Sequence, residues 1–321
     1  MNPERVRDIV GAVLKISCGL GCFILVAPLS CSREQSGFAS PADSLYTISV
    51  EQWHNSRLAS LTSDRGWLTL AGLFWLEPGE NRFGSDPSND MVFPRGMAPF
   101  IGRFYLQHNR VRVSIDAGVE VTHNGVPVSE MELNSDEEGV PSVMTLGSFS
   151  WHVIRRGRDP ERIGIRLRDR ASPRLLHFEG IERFPVDRAW RLQARLERHD
   201  PPKTLSIVSA TGTVDQEISP GALVFSFQGV EYRLDPIGQP GDSVFFLIFA
   251  DRTSGVETYG GGRFLYVDAP DNDSGTFIDF NRAYNPPCAF TPYATCPLPP
   301  PQNRLPFRVT AGEKQHHGTG H

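Results

Sequence analysis

The stretch VRVSIDAGVEVTHNGVPV, residues 111–128 of a 321-residue chain, decides the fold class. Val111, Val113 and Ile115 alternate with Arg112 and Ser114, and Val119 and Val121 alternate with Glu120 and Thr122. A period of two places one side chain in three dimensions toward a core and the next toward solvent, which is a strand rather than a helix. Asn124-Gly125 interrupts the alternation and supplies the two residues that tolerate positive φ in a type I′ turn, so a hairpin is predicted there.

Working outward, the same short apolar or alternating runs recur in WLTLAGLFWL (67–76), SFSWHVIRRG (148–157) and RIGIRLRD (162–169), separated by Gly, Pro and Asn turns. In FPVDRAWRLQARLE (184–197), Trp190, Leu192, Ala194 and Leu196 alternate with polar residues. After Asp200-Pro201-Pro202 a second series follows: TLSIVSATG, ALVFSFQGVEYRLDP, SVFFLIFAD, ETYGGGRFLYVD and GTFIDFN. Only residues 49–64 show helical spacing, with Val50, Trp53, Leu58 and Leu61 on one side and Ser49 as the N-cap. The expected fold class is therefore all-β: a short N-terminal helix with a first β-sandwich in 49–180, then a second antiparallel β-sandwich or barrel in 181–314.

Composition agrees and narrows the function classes. The 30 Gly and 26 Pro exceed average usage and oppose a helical protein, while 39% hydrophobic residues suffice for a core. A net charge of −5 gives no basic footprint for nucleic acid. Collagen, coiled-coil and multispan membrane architectures are excluded.

Arg5, Arg7 and Lys15 precede an apolar run at 16–30, the layout of a secretory signal. Fifteen residues fall short of the roughly 20 needed to span a bilayer. The run APLSC resembles a bacterial lipoprotein signal with Cys31 as the lipidated residue; an ordinary signal peptide cut nearby is the other reading. Residues 1–31 are thus expected to be a signal, 32–48 a flexible tether and 315–321 a disordered tail. The expected location is the periplasm or cell envelope, with membrane contact only through the signal or a lipid anchor. Cys288 and Cys296 remain, an even pair in an oxidising compartment, and a disulfide is expected; a metal site is the rival, without a Cys-x-x-Cys to support it.

Phosphate-binding loops, His-Glu-x-x-His, the Gly-x-Ser-x-Gly elbow and calcium loops are all absent, so no cofactor or metal is expected. Gly260-Gly261-Gly262 lacks the strand-then-helix setting of a dinucleotide site and reads as a bulge or bend. One region is dense in polar groups. Asp251, Glu257, Tyr259, Arg263, Asp279, Asn281 and Tyr284 fall within 34 residues, and neighbouring strands at 244–250, 256–260, 263–268 and 276–281 would gather them. Such a pocket would take a small polar or anionic ligand, with Arg263 and Arg282 on its anionic group. The alternatives are a hydrolase using Glu257 and Asp279 as acid and base, with or without a metal, or hydrogen-bonded scaffolding without a ligand.

The stretches GWLTLAGLFWLEPGENRFGS, GIERFPVDRAWRLQARLE, FADRTSGVETYGGGRFLYV and DFNRAYNPPCAFTPYATCPLPPPQNRLPFRVTAGEK resemble the bacterial and archaeal family known as domain of unknown function 1684. That resemblance runs over about residues 50–314 and implies no activity or substrate. The first β unit also resembles a forkhead-associated sandwich, through Gly84-Ser85, Asn89 to Pro94, Ile101-Gly102-Arg103 and Asn124-Gly125. The Ser and His that bind phosphothreonine in that fold are absent from 101–106, and Ser85 stands where an Arg is usual. The resemblance implies the fold and not phosphopeptide recognition.

Overall fold

A computed structural model describes residues 41–157, 161–270 and 275–316. The expected signal with Cys31, the part of the expected tether at 32–40 and the expected tail from 317 lie outside the described residues. Helix α1 (Pro41–Thr62) begins eight residues before Ser49. Pro41 suits a first helical position because it lacks the N–H that would go unpaired there. Residues 41–48, expected as tether, are therefore helical, and the Ser49 hydroxyl does not cap but donates to the Tyr46 carbonyl at 2.7 Å.

Eleven strands follow: β1 (Leu70–Trp75), β2 (Gly79–Gly84), β3 (Met91–Val92), β4 (Gly102–Gln107), β5 (Arg110–Ile115), β6 (Thr122–His123), β7 (Val126–Pro127), β8 (Glu130–Leu133), β9 (Met144–Leu146), β10 (Phe149–Arg156) and β11 (Arg162–Asp169). They form a six-stranded sheet, β1-β11-β10-β9-β6-β7, facing a five-stranded sheet, β3-β2-β4-β5-β8. This is the sandwich that the forkhead-associated resemblance implies. Its core stacks Phe83 on Phe104 at 4.3 Å and sets Trp151 edge-on to Phe83 and Phe93. Each such ring contributes roughly 1.5–3 kcal/mol on burial. The predicted hairpin joins β6 to β7, with φ of 49° at Asn124 and 77° at Gly125.

After a short helix, α2 (Pro173–Leu176), come β12 (Arg191–Val208), β13 (Val214–Phe227), β14 (Val230–Leu234), β15 (Val244–Phe249), β16 (Arg263–Asp268) and β17 (Thr276–Asp279). The sheet β14-β13-β12-β17 and the pair β15-β16 close over one core that includes Trp190, Phe225, Leu247, Phe249, Leu265 and Phe280. Residues 200–202 do not separate two strands. They form a register break inside β12, between Arg198 and Lys203. The other face of β15-β16 carries Ile248 and Phe264, which pack with Leu70, Leu205 and Ile207 into a core joining the two β units. Beyond β17 the chain runs irregularly through 280–316 against this second unit. Of the expected tail, Gln315 donates its N–H to the Glu257 carbonyl at 2.8 Å, and His316 packs on Phe290, so these two residues are ordered. No helix of the described residues is long and apolar enough to cross a membrane.

Candidate functional site

The seven residues expected to line one pocket go to four places. Asp251 and Arg263 are buried: the side chains of both are 0% exposed and meet at 2.7 Å. Arg263 also donates to the carbonyls of Val309 and Ala311, while Asp251 Oδ1 accepts from Thr253 and from the Val309 N–H. Neither faces solvent, so Arg263 holds the C-terminal segment and not a ligand. Glu257 pairs at the surface with Arg308. Residues 256–260 form a turn rather than the expected strand, because Thr253 O accepts the N–H groups of Val256, Glu257 and Thr258. Gly262, at φ +85°, ends that turn directly before β16, the bend expected of the glycine run.

Tyr259 stands beside the two cysteines, and burial pushes its phenol up to about 12. Asp279, Asn281 and Tyr284 all lie against α1, but at different points: Asp279 and Asn281 meet at Tyr46, and Tyr284 packs on Trp53 and Arg57. Strand β17 ends at Asp279, and Asn281 sits in the following turn, where it donates to the Tyr46 hydroxyl and the Asp187 carbonyl at 2.8 Å each. Tyr46 in turn donates to Asp279 Oδ1 at 2.7 Å. Burial and this carboxylate together raise the Tyr46 phenol above its ordinary value. Tyr284 stacks on Tyr266 at 6.1 Å and lies under the guanidinium of Arg57 from α1. Of the carboxylates expected to act as acid and base, Glu257 pairs with Arg308, while Asp279 accepts from Tyr46 and pairs with Arg282.

What the helix and strand ends enclose is a groove of about 580 Å³. Its walls are Tyr46, Ser49 and Trp53 of α1, Tyr266 and Asp268 of β16, and Phe277 and Asp279 of β17, with Arg188, Arg191 and Arg282 around them. The volume suits a small molecule. Tyr266 is 61% and Phe277 42% exposed. Most of the charges are engaged: Arg188 with Asp43 at 2.7 Å, and Arg282 with Asp279 at 3.4 Å and with Ser49. Arg191 differs. Its guanidinium lies 3.6 Å from the centroid of the exposed Phe277 ring, and among the described residues it makes no ion pair. The ring fixes the plane of the fork and leaves its N–H edge open, a geometry suited to a carboxylate or phosphate.

Eight of these residues escaped the sequence reading as site residues: Tyr46, Ser49, Trp53, Arg188, Arg191, Tyr266, Asp268 and Phe277. A signal was available in Tyr266 and Phe277, aromatic residues at the outward positions of strands whose inward positions are already apolar.

Cys288 and Cys296 are both thiols here, so the expected disulfide is not formed. The Cys288 N–H donates to the Cys296 sulfur at 3.0 Å, and the Cys296 N–H to the Cys288 sulfur at 3.4 Å. Among the described residues no group of three or more His, Cys, Asp or Glu is placed to hold a metal ion.

No curated protein matches the chain. An uncharacterized protein of Haloarcula marismortui, solved by NMR in solution, is 30% identical over 43% of this chain and 77% of that one, with a TM-score of 0.37. An FhaA FHA domain is 17% identical, over 30% of this chain and 97% of that one, with a TM-score of 0.21. A second FHA domain, Rv0020c, is also 17% identical, over 30% of this chain and 89% of that one, at a TM-score of 0.20. Residues 176–314, which contain β12 to β17, the strand side of the groove and the cysteine loop, match the model described as protein of unknown function (DUF1684), and the chain belongs to that family.

Proposed function

We propose that this protein is an exported cell-envelope module that binds a small anionic ring compound of the acidic-sugar class in the groove between α1 and the ends of β16 and β17. The observation that carries the reading is Arg191, lying on an exposed aromatic ring and without an ion pair among the described residues. Tyr266 and Trp53 offer flat faces to the C–H side of a sugar ring, and Asp268, with no side-chain partner among the described residues, is an acceptor for its hydroxyls. Export rests on the basic start, the apolar run at 16–30 and Cys31 as the anchor point.

Glucuronic acid and glucose, compared by thermal shift and calorimetry, test the groove. Glucuronic acid should stabilise the protein and glucose should do so far less. Arg191→Gln should weaken glucuronate binding about tenfold, the loss of one charge-assisted contact, and Tyr266→Ala about as much, through the lost ring face. Arg308→Gln should leave it unchanged. Absence of any glucuronate effect, or equal binding by Arg191→Gln, would leave only a scaffold. For the anchor, fatty-acid labelling should mark the wild type and not Cys31→Ala; equal labelling defeats the lipid anchor.

A further inference from the structure

The face of β10 and β11 that meets the second β unit carries more positive charge than it has counter-charge. His152 lies opposite Arg166 in the strand register, with Arg156 and Arg168 nearby. The carboxylate among them, Asp136, is 2.7 Å from Arg156. Arg168 donates to the Gly66 carbonyl and the Thr69 hydroxyl at 2.8 and 3.0 Å. Arg166 is 4% exposed, and among the described residues the hydrogen bond its guanidinium makes is 3.4 Å long, to the Thr295 hydroxyl. Its Nε has no partner. A guanidinium taken out of water needs an anion or a full set of acceptors; Arg166 lies over the Trp67 ring and feels the Asp136 charge, but among the described residues no carboxylate or carbonyl hydrogen-bonds its guanidinium.

The anion that fits lies next along the chain. Thr295 precedes Cys296, and both cysteine sulfurs interact electrostatically with Arg166. The loop that bears them is rigidly set. Pro287 and Pro297 flank the two cysteines, the Ala210 N–H donates to the Cys296 carbonyl at 2.7 Å, and the Leu298 N–H to the Val208 carbonyl at 2.8 Å. The reciprocal N–H to sulfur bonds then bring the two sulfurs side by side. They are not equivalent: Cys296 is 4% exposed, while Cys288 is half-buried, its sulfur 3.5 Å from the Ala294 carbonyl.

We propose that Cys288 and Cys296 form a thiol–disulfide exchange centre for small-molecule disulfides, with Cys288 the attacking sulfur, Arg166 its counter-charge and Cys296 the resolving sulfur. The thiolate of Cys288 attacks one sulfur of the disulfide RSSR; a new S–S bond forms, and RS⁻ leaves and is protonated from solvent. Cys296 then loses its proton and attacks the Cys288 sulfur, expelling the second RS⁻, which is protonated in turn. Two protein thiols are oxidised to one disulfide and RSSR is reduced to two RSH. The electrostatics agree with the roles. The hydrogen bond from Cys296 lowers the Cys288 thiol, Arg166 adds to this, and burial opposes it, whereas burial raises Cys296. Tyr259, the other titratable group facing the pair, stays neutral in the working range.

The test uses the full chain, reduced, exposed to oxidised glutathione, blocked with N-ethylmaleimide and digested with trypsin. One peptide, 283–304, holds both cysteines and no other. In the wild type it should lose two hydrogens and take no maleimide. In Cys296→Ser it should gain one glutathione on Cys288, and Cys288→Ser should react at least tenfold more slowly. Iodoacetamide alkylation of Cys288 in Cys296→Ser, followed against pH, should have a midpoint below the usual thiol value of about 8.5. Arg166→Met should move that midpoint upward, and Arg166→Lys should restore it. If Arg166→Met does not fold, the midpoint with Arg166 in place still decides. A midpoint at or above the ordinary value, or equal rates for the two serine variants, would overturn the proposal.

Discussion

Replacing Asp251 by Asn asks whether the densest polar cluster of the sequence holds a ligand or holds the fold. The substitution keeps the shape of the side chain and removes its charge. Asp251 Oδ2 accepts from Arg263 at 2.7 Å, and Oδ1 accepts from the Thr253 N–H at 2.8 Å, its hydroxyl at 2.7 Å and the Val309 N–H at 3.1 Å. Every partner is a donor, so an amide must turn its NH₂ toward one donor set or the other. Arg263, 0% exposed, is left with carbonyls alone. Breaking a buried pair by removing one partner costs about 3–5 kcal/mol, a large share of the roughly 5–15 kcal/mol that holds a folded protein. At a urea slope of roughly 3 kcal/mol/M, the unfolding midpoint should fall by about 1 to 1.7 M, read by near-UV circular dichroism. Glucuronate binding to the folded variant should be unchanged. A midpoint moved by less than about 0.3 M at that slope, together with lost binding, would place Arg263 in a ligand site and refute the assignment.

His152 supplies a pH test: burial, with help from Arg166 and Arg168, lowers its pKa to about 4. The unfolded chain therefore binds the proton first as pH falls through about 6.5, and stability is lost between there and about 4. The loss is about 2 kcal/mol by pH 5 at 1.36 kcal/mol per pH unit, and should appear as the difference between wild type and His152→Gln in urea midpoints at pH 7 and 5. Arg57→Met strands Glu313, which is 1% exposed and whose ion pair with Arg57 spans 3.4 Å; α1 should lose amide-exchange protection and the groove its affinity. In the glycine run, Gly262→Ala should lower Tm well beyond the about 1 kcal/mol that a positive φ costs, because its Cβ would sit 2.6 Å from the Phe249 carbonyl oxygen. At Gly260 an added Cβ would meet only the Gly255 backbone, at an ordinary 3.6 Å, so Gly260→Ala should be nearly neutral.

The strands were legible where alternation and turn chemistry coincide, as at Asn124-Gly125, because both are local properties. The start of α1 was not. Residues 41–48 have no apolar periodicity of their own, and what holds them is distant: Tyr46 bonds Asp279 and Arg188 bonds Asp43. The groove was partly legible for the same reason. Asp279 and Arg282 stood out within the polar block, but Arg191 and Tyr266 matter through a cation–π contact across strands and a stack on a neighbouring loop, which no spacing along the chain encodes.

Why the polar block misled has a physical cause in the prolines beside it. Eight of them fall between Pro286 and Pro306, and a proline has no N–H, so the irregular chain there cannot build a ladder for its own carbonyls. Side chains must supply the donors. Arg263 serves Val309 and Ala311, Asn285 serves Lys314 at 2.7 Å, and Arg57 serves Asn285 at 2.9 Å. Asn303 likewise ties the segment to the carbonyls of Asp235 and Ile248 at 2.9 and 3.0 Å. A run of Arg, Asn and Asp next to a buried proline-rich segment is thus what satisfying a backbone requires, and it arises whether or not a ligand binds. The residues that point to a ligand are those this demand does not consume: an arginine lying on an exposed ring, and beside the cysteines an arginine with almost nothing to hold.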